Sequence, residues 1–496
     1  MIHQSGSHFV SDKHSDLLQL SGSNRYRVKV TSEPILISAS AQRGNRISGS
    51  LYLVLITGVA ALGGLLFGYD TAVISGAIGL LKDHFVLSAA ATGWAASSAL
   101  AGCVLGAAGA GKGSDLYGRH KMLVLSGICF LISAVGTALA STFTLFIVFR
   151  IIGGFGIGAA SVASPLYIGE SAPARWRGRL VALNQLAIVF GMLLIYLVNY
   201  RIHLSGTLDW NRNMGWRWMF ASGILPSTLL LGLLFVVPET ARFLLMRGRR
   251  EEAERVAART GADTFLEILE AETPQPDTAK HLRRVLSVGF VLAVLQQVTG
   301  INVFLYYAPI IFGRVSHSGN TSLWQTVLLG AVNVLFTIIA MAFVDHAGRK
   351  PLLLTGSLGM MVCLVSMGWA IMHESSSAWL LLFVLVYIAC FAFSVGPVTW
   401  IVLSEIFPSQ IRATAMAIST AVLWIANFAV SQTFPMLDEN HTLIAHFGHG
   451  FPFFLYASFC LVEMCFVWRC LPETKNRSLE EISRWWSAKD VQNHGS

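Results

Sequence analysis

The stretch DLYGRHK at residues 115–121 recurs later in the chain as DHAGRKP at residues 345–351. Two further motifs recur in the same order and at nearly the same separation: ESAPARWR at 170–177 returns as EIFPSQIR at 405–412, and PETAR at 238–242 returns as PETKN at 472–476. Ordered recurrences at a matched period mark a repeated structural unit rather than chance similarity. The sequence therefore predicts two halves with the same architecture.

The composition indicates that much of the chain lies in lipid. Of the 496 residues, 54% are hydrophobic and only 12% are charged, whereas an ordinary soluble domain has about 25% charged residues. A soluble protein of this size would need a large polar surface, and too few charged side chains are available to build it. A soluble protein is therefore excluded.

Apolar runs of about twenty residues recur along the chain, and a helix of that length crosses about 30 Å of hydrocarbon. Because backbone groups in lipid must form their hydrogen bonds internally, these runs are expected to be helices. The twelve predicted spans are 51–80, 88–110, 121–141, 143–166, 180–200, 217–238, 284–312, 323–345, 351–372, 378–404, 411–435 and 450–470. We therefore predict an all-α membrane protein of two six-helix bundles, with a binding cavity between them near mid-membrane.

The domain boundaries follow from the polar segments between and around the spans. We predict an N-terminal six-helix bundle at 49–240, a cytoplasmic helical linker at 241–283, a C-terminal six-helix bundle at 284–475 and a cytoplasmic C-terminal tail at 476–496. Residues 1–48 are rich in serine and charge and lack a long apolar run, which is typical of a disordered cytoplasmic tail. A start codon placed too early is the alternative for that segment.

The distribution of basic residues predicts the orientation. With both termini in the cytoplasm, most of the 35 lysine and arginine residues fall on the cytoplasmic side, as the positive-inside rule requires. The basic residues left on the outer side are Lys82, Arg201, Arg212, Arg217 and Arg314. The predicted location is the plasma membrane, or the inner membrane of a bacterium, with several crossings and both termini cytoplasmic.

Several other classes of function are disfavoured. The net charge is +8, but the basic residues lie in short clusters between apolar runs, so nucleic acid is not expected as a partner. The seven cysteines lie in apolar runs without CxxC or Cys/His spacing, so neither a disulfide nor a metal site is expected. No nucleophile–base set or phosphate loop is evident. The chain is therefore predicted not to be an enzyme and to need no cofactor.

Two charged residues are identified well inside the spans, Asp70 and Arg150. Counting along ideal helices from the outer ends places Asp70 about 18 Å deep and Arg150 about 13 Å deep, so the two side chains can meet. An ionised Asp70 pairs with Arg150 and a protonated Asp70 releases it, so protonation changes which arrangement of the bundle is stable. We predict that this pair couples a proton to a conformational cycle. No comparable charge is recognised within a span of the second half, which disfavours a charged substrate.

Amide side chains supply most of the polar groups in the other spans. They are Gln185, Gln296, Gln297, Asn302, Asn333 and Asn427. An amide both donates and accepts hydrogen bonds, which suits the vicinal hydroxyls of a neutral sugar or polyol. On an ideal helix Gln297 points about 100° away from Gln296, so one straight helix does not present both, and Gly300 predicts local unwinding at this point.

Two tryptophans lie near these amides in the sequence. Trp400 follows the helix-breaking pair Gly396 and Pro397, and its ring is predicted to cover the C–H face of a sugar. Trp424 is expected to pack between helices.

The motifs together resemble those of the major facilitator superfamily, and within it the sugar porter family. The resemblance rests on GYDTAVISG (68–76), GKGSDLYGRHK (111–121), RIIGGFGIG (150–158), PLYIGESAPARWRG (165–178), QQVTGINVFLYYAP (296–309), DHAGRKPL (345–352), GPVTWIVLSEIFPSQIR (396–412) and the two PET motifs. It covers about residues 50–480, and the chain looks most like bacterial proton symporters of xylose and hexoses. The resemblance implies the major facilitator fold and import of a neutral monosaccharide, such as xylose or glucose, with a proton by alternating access.

The resemblance also implies a set of binding residues. The implied sugar contacts are Gln185, Gln296, Gln297, Asn302, Tyr306, Asn333, Gly396 and Trp400. Met192 and Leu423 depart from the pattern, because amides are usual at those places, and the departures put the identity of the sugar in question. Gly223 stands where some proton-coupled relatives carry a second acid, so coupling is expected to rely mainly on Asp70.

The charged residues of the repeated motifs are predicted to form a cytoplasmic gate. They are Asp115, Arg119, Glu170 and Arg177 in the first half and Asp345, Arg349, Glu405 and Arg412 in the second. Pairs among them would bridge helix ends when the cavity faces outward and break when it faces inward. Solvated loop charges are the plainer interpretation, since single surface pairs contribute little.

A facilitative sugar or polyol uniporter is the alternative function. The two functions differ in whether transport is coupled to a proton through Asp70. A sugar sensor is disfavoured because only residues 477–496 follow the last motif, which leaves little room for a signalling domain. The expected partners are a monosaccharide, a proton and the lipid bilayer, and the protein is expected to be monomeric.

Overall fold

The computed structural model describes residues 46–260, 282–314, 319–373, 377–407 and 412–475. Most of the predicted N-terminal tail, the second part of the predicted linker and the predicted C-terminal tail lie outside these residues. Within them, twelve helical segments are long and apolar enough to cross a membrane, judged by length and composition. They match the predicted spans in number and order and are called spans 1 to 12.

Spans 1 to 5 are single helices, whereas span 6 is interrupted. The helices are Arg46–Phe85, Ala89–Tyr117, Arg119–Leu139, Phe143–Ser171 and Ala174–Leu204 for spans 1 to 5, and span 6 comprises Leu208–Trp210, a π-helical turn Asn211–Gly215, Trp216–Ala221 and Ile224–Leu234. Span 6 begins at Leu208, earlier than predicted, because its helix includes the polar turn Asn211–Gly215 that precedes the apolar run. At the predicted start of the span, Arg217 uses Nη1 to donate hydrogen bonds to the carbonyls of Ala138 and Ala140 at 2.9 and 2.7 Å.

The second half contains two broken spans. Span 7 comprises Leu282–Val298 and Ile301–Gly313, span 8 is Gly319–Ala347, span 9 is Arg349–Met372, span 10 comprises Ser377–Phe393 and Val395–Ile406, span 11 is Arg412–Asp438 and span 12 is Phe451–Cys470. A short helix, His441–Phe447, lies between spans 11 and 12.

The break in span 7 lies where the sequence predicts unwinding. Gly300 has φ 91° and ψ 11°, a left-handed conformation that glycine adopts without the penalty a Cβ would impose. A Cβ at this position would also lie 2.6 Å from Cδ2 of Tyr456 in span 12. Backbone conformation and close packing therefore both require glycine at the break.

Spans of the two halves pack directly against one another. Span 2 lies along span 11, span 5 lies along span 8, and span 1 contacts the second helix of span 7. Because the number of crossings is even, span 1 begins and span 12 ends on the same side of the membrane. That side is called the terminal side, and the other is called the far side.

The first part of the predicted linker is helical, as the sequence suggests. It comprises the helices Ala241–Met246 and Arg250–Thr260. Ala253 of the second helix packs on Ala241 and Leu244 of the first. Within the second helix, Arg255 Nη2 lies 3.4 Å from Glu251 Oε2, one turn earlier.

Candidate functional site

Asp70 in span 1 and Arg150 in span 4 form an ion pair inside the first half. Nη1 of Arg150 lies 3.3 Å from Oδ2 of Asp70 and donates to the Asp70 carbonyl at 3.2 Å. The Arg150 side chain is 1% exposed and the Asp70 side chain 13% exposed. The guanidinium carbon lies 5.5 Å from the ring centroid of Phe220 in span 6, a cation–π contact. Because a buried guanidinium needs its counter-charge, the arrangement is sensitive to protonation of Asp70.

Two buried polar atoms at or near this ion pair lack a hydrogen-bond partner in the described part of the chain. Nε of Arg150 and Oγ of Ser133 in span 3 have no partner among the described residues. A Cβ on Gly153 would lie 3.1 Å from Asp70 Oδ2, so the glycine lets span 4 approach the carboxylate closely. Arg150 also lies within electrostatic range of the Tyr306 hydroxyl in span 7. The charge of Arg150 in the first half therefore acts on a buried hydroxyl of the second half.

Three predicted amides meet at the break in span 7. Nε2 of Gln296 donates to the carbonyls of Val395 and Gly396 in span 10 at 3.2 and 3.0 Å. Gln297 donates to Oε1 of Gln296 at 3.4 Å, and Asn302, which follows the break, donates to Oε1 of Gln297. All three side chains are at most 8% exposed. We call these three residues the amide cluster.

A second polar group links span 7 to span 11. Nδ2 of Asn427 lies 3.5 Å from the Tyr306 hydroxyl, and Ser431 donates to Oδ1 of Asn427 at 3.0 Å. Tyr306 is 1% exposed and Asn427 2% exposed. Polar groups of spans 7, 10 and 11 therefore lie buried together in the second half.

The remaining predicted contacts lie on spans of both halves. Gln185 is half-buried on span 5, Asn333 is buried on span 8 and Trp400 is half-buried on span 10. None of the described hydrogen bonds joins these three side chains directly to the amide cluster. Met192 and Leu423, the two apolar departures, are 7% and 4% exposed.

Trp424 combines a packing role with an unpaired donor. Its ring packs on Phe67 of span 1 with centroids 5.5 Å apart, as expected for packing between helices. Its buried indole N–H, however, has no acceptor among the described residues. Buried donors are rarely left unpaired, and a sugar hydroxyl would accept this hydrogen bond. The sequence alone does not indicate this unpaired donor, because whether an indole N–H has an acceptor depends on the residues that pack around it.

The repeated motifs build the same network twice on the terminal side. In the first half, Nη2 of Arg119 lies 2.9 Å from Glu170 Oε1 and 3.1 Å from Asp115 Oδ1, and Thr240 donates to Glu170 Oε2 at 2.7 Å. In the second half, Nη2 of Arg349 lies 2.9 Å from Glu405 Oε1, and Thr474 donates to Glu405 Oε2. Each described pair joins helix ends within one half.

The glutamates of the PET motifs cap the first helix turns of spans 3 and 9. Glu239 accepts hydrogen bonds from the backbone N–H groups of Arg119 and His120, and Glu473 accepts the equivalent pair from Arg349 and Lys350. Burial raises the pKa of Glu473, but backbone hydrogen bonds to its carboxylate outweigh burial and hold the pKa below its usual value. The predicted gate omitted the glutamates and threonines of the PET motifs. The recurrence of the motif could have identified them.

The other predicted gate residues are less fully described. Arg177 is exposed, and its Nε donates to the Gly169 carbonyl at 3.0 Å. The side chains of Asp345 and Arg412 lie outside the described part of the chain.

Comparison with known proteins identifies the family. The family model described as "Sugar (and other) transporter" matches residues 56–486. The chain is 43% identical over 474 residues to the D-xylose-proton symporter of Escherichia coli (strain K12), covering 88% of this chain and 96% of the relative. It is 40% identical over 447 residues to the arabinose-proton symporter of Bacillus subtilis (strain 168), covering 88% of this chain and 95% of the relative.

The chain belongs to the sugar porters of the major facilitator superfamily. Among solved structures, the partially occluded inward-open xylose transporter XylE of E. coli matches with a TM-score of 0.78 and 42% identity, covering 86% of this chain and 100% of that chain. The predicted family and fold class are confirmed. The predicted functional class, a sugar transporter and not an enzyme, is confirmed by the family model and the same relatives.

The two halves of this sugar porter are joined by polar contacts on the far side. Lys82 at the end of span 1 pairs with Glu439 just after span 11. Gln432 in span 11 accepts from Ser97 Oγ at 2.8 Å and donates to the Ala90 carbonyl of span 2 at 3.0 Å. On the terminal side, the described ion pairs of the motifs lie within each half. This distribution matches closure on the far side.

One intramembrane charge was missed by the sequence analysis. Glu463 lies in the second part of span 12 and is 0% exposed. The expectation that no such charge lies within a span of the second half is therefore wrong. The residue is visible in the sequence as the only acid of an apolar run, but its partner, Ser357 in span 9, is far away along the chain.

Proposed function

We propose that this sugar porter imports a neutral monosaccharide together with a proton by alternating access, with the terminal side, and hence both chain termini, in the cytoplasm. The observation that carries the proposal is the contact between Asp70 and Arg150, an ion pair buried between spans 1 and 4. Two of the relatives are symporters of D-xylose and of arabinose, and a third is a glucose transport protein, which supports a monosaccharide such as xylose or glucose as cargo. A single chain contains both halves, so the monomer suffices.

The proton acts by changing the charge balance around Arg150. While Asp70 is ionised, its carboxylate holds Nη1 of Arg150 at 3.3 Å. When a proton binds, the carboxyl becomes neutral and the pairing energy is lost, which leaves the guanidinium with the Asp70 carbonyl and the Phe220 ring. A conformation that offers Arg150 another acceptor then becomes more stable. Binding of the proton therefore favours one arrangement of the spans over the other.

Sugar binding is assigned to the amide cluster, Tyr306, Asn427 and Trp424. These groups provide donors and acceptors without a net charge, as a neutral polyol requires. In the structure their hydrogen-bonding capacity is used largely within the protein, as in the Gln296 contacts with span 10. A sugar would exchange these contacts for hydroxyl contacts and would satisfy the indole N–H of Trp424. Gln185, Asn333 and Trp400 would approach the sugar from spans 5, 8 and 10.

The motif networks are proposed to act as the cytoplasmic gate. Arg119 with Glu170 and Arg349 with Glu405 each tie helix ends within one half, so each half can move as a rigid body. Closure on the far side by Lys82 and Glu439 supports an inward-facing state in which the two networks are apart. In the outward-facing state, we expect the networks to meet across the interface.

Proteoliposomes test the role of Asp70. Asp70→Asn should abolish accumulation of labelled xylose or glucose driven by an inward proton gradient, because the asparagine is neutral at every pH. Exchange of labelled for unlabelled sugar should persist, since exchange needs no net proton movement. Asp209→Asn, which changes an exposed aspartate in the first turn of span 6, is the matched control and should accumulate sugar normally. Undiminished accumulation by Asp70→Asn would refute coupling through this residue and favour the facilitative alternative.

A competition screen tests the sugar assignment. Unlabelled pentoses, hexoses and inositols compete with labelled xylose and glucose for uptake, and the strongest competitor identifies the preferred cargo. Gln296→Ala removes a side chain that touches span 10 and should weaken competition by every sugar, by roughly tenfold if about 1.4 kcal/mol of hydrogen bonding is lost. Competition by organic acids but by no polyol would contradict a neutral substrate.

A further inference from the structure

Glu463 is a carboxyl group sealed inside the second half. It is the thirteenth residue of span 12, about 10 Å along the helix from its end at Cys470. Its exposed fraction is 0%. Oε2 accepts a hydrogen bond from Ser357 Oγ of span 9 at 3.1 Å. Oε1 has no hydrogen-bond partner among the described residues.

No cation of the described residues balances this carboxyl. None of the described ion pairs includes Glu463, and its one described hydrogen bond comes from the neutral hydroxyl of Ser357. The described cations of span 9, which packs against span 12, have other partners: Arg349 pairs with Glu405, and Lys350 donates to the Trp468 and Leu471 carbonyls. The titratable groups near it are Cys460, one turn earlier on the same helix, and Tyr387 of span 10. Both are neutral in their ordinary forms and supply no positive charge. This environment contrasts with that of Asp70, which has Arg150.

The physical chemistry of such a site favours the neutral acid. An unpaired carboxylate in an apolar interior costs several kcal/mol or more to bury, and the group takes up a proton instead. A carboxylic acid needs only one acceptor and one donor, and a single serine hydroxyl serves a neutral acid far better than it serves a full negative charge. An intramembrane acid of this kind is a functional candidate rather than a packing residue.

The position of Glu463 connects it to the break in span 7. Tyr456, Cys460 and Glu463 follow one another at helical spacing and share a buried face of span 12. Tyr456 packs on Gly300 at the break. Tyr387, which is within electrostatic range of Glu463, donates its hydroxyl to the Thr299 carbonyl at 3.0 Å. The carboxyl thus lies behind the segment that carries the amide cluster.

We propose that Glu463 is a second proton-binding site, located in the second half and separate from the pair of Asp70 and Arg150, and that it holds its proton in the conformation described. The step is a simple protonation: a carboxylate oxygen gains a proton, one O–H bond forms and the group becomes neutral. The neutral acid and Ser357 then hold span 12 against span 9. The inference does not depend on which cargo the protein carries.

Infrared spectroscopy of the purified protein in lipid nanodiscs tests the proposal. A protonated carboxyl has a carbonyl stretch that is separate from the amide and carboxylate bands. The wild type should show this band at neutral pH, and Glu463→Gln should lose it. Asp70→Asn is the matched control, since it removes the buried acid of the first half, and the Glu463 band should persist in it. A wild-type spectrum without the band, or a band that survives Glu463→Gln, would overturn the proposal.

A second variant keeps the test decisive if Glu463→Gln does not fold. Ser357→Ala removes the hydroxyl that donates to Glu463, and the carbonyl stretch of a protonated acid should then move to higher frequency. An unchanged band would contradict the assignment. Because this readout needs no transport, it separates failure of the proton site from failure of the proposed sugar import. A carrier that moved sugar without protons would still show the Glu463 band.

Discussion

Arg150 is suited to its place by the shape of the guanidinium as well as by its charge. One nitrogen serves both the carbonyl and the carboxylate of Asp70, while the planar group lies over the Phe220 ring. A lysine ammonium would supply a point charge but no flat face. The pair is therefore expected to be energetically coupled, so that neither residue can be changed independently of the other.

A double-mutant cycle measures that coupling. Arg150→Met should destabilise the protein by about 3 kcal/mol, because it leaves the Asp70 carboxylate buried without a partner. Asp70→Asn with Arg150→Met should recover much of the loss, since both charges are then gone. The free energy of unfolding in detergent at neutral pH is the measurement. Strictly additive losses would show that the two side chains do not interact.

The contrast between Asp70 and Glu463 shows which intramembrane acids can be identified from the sequence before the fold is known. Asp70 was recognised as an acid inside a long apolar run, and an arginine of another predicted span could be placed at a depth that permits contact. Glu463 lies in an equally apolar run, yet its partner is a serine more than 100 residues away, and serine carries no charge to attract attention. Intramembrane charges that form ion pairs are therefore easier to predict than those that are held neutral.

At the scale of helices, apolar length predicted where the spans lie but not how they end or break. Span 6 begins at Leu208, earlier than its apolar run, and its Arg217 is bonded to the carbonyls of Ala138 in the last turn of span 3 and of Ala140 just after that span. The start of span 9 needs the Glu473 carboxylate from beyond span 12. Such partners are set by tertiary packing, so no local pattern could have identified them. The break at Gly300 could be predicted, because its cause lies within the local sequence.

The cap on span 9 should make stability depend on pH. The pKa of Glu473 is lower in the folded protein than its usual value, so its stabilising contribution is full above the usual pKa and is lost as the pH falls through the folded value. Glu473→Gln should therefore destabilise the protein at neutral pH by about 1 kcal/mol after allowance for solvent screening.

Unfolding of the wild type and Glu473→Gln over a range of pH measures this effect. The difference between them should vanish in acid, where the wild-type carboxyl is also neutral. Glu254→Gln, in the exposed linker helix, serves as the control and should stay close to the wild type throughout. A difference that grows in acid would contradict the assignment.

The break in span 7 predicts a separate effect on sugar binding. Gly300→Ala should cost about 1–2 kcal/mol through the left-handed backbone alone, and its Cβ would also press on Tyr456. Asn302, which follows the break, should then lose its place beside Gln297, and the KM for sugar should rise about tenfold. Gly232→Ala adds a methyl group in span 6 with nothing within 4 Å and should leave KM unchanged. Equal KM values for the two variants would show that the break does not position the site.

At the scale of the whole molecule, duplication places equivalent networks on the terminal side while the far side is closed by unlike contacts. Arg119 and Arg349 repeat one another, whereas Lys82 and Glu439 have no repeat among the described ion pairs. The repeat could be predicted from the motifs, but the far-side contacts could not, because no sequence pattern marks them. Closure of the far side therefore depends on contacts that the repeated motifs do not supply.

The pair of Lys82 and Glu439 is expected to set how often the far side opens. Both side chains are more than a third exposed, and such a pair contributes at most about 1 kcal/mol, which corresponds to a shift in population of about fivefold. Because apparent affinity scales with the fraction of molecules that can bind, Lys82→Met should lower the KM for uptake from the far side by up to this factor and raise the KM for entry from the terminal side. Lys82→Glu with Glu439→Lys restores the attraction and should return both values towards those of the wild type. Kinetics in right-side-out and inside-out vesicles measure the two faces separately, and a change in the same direction at both faces would mean that the variant alters the sugar site rather than the closure.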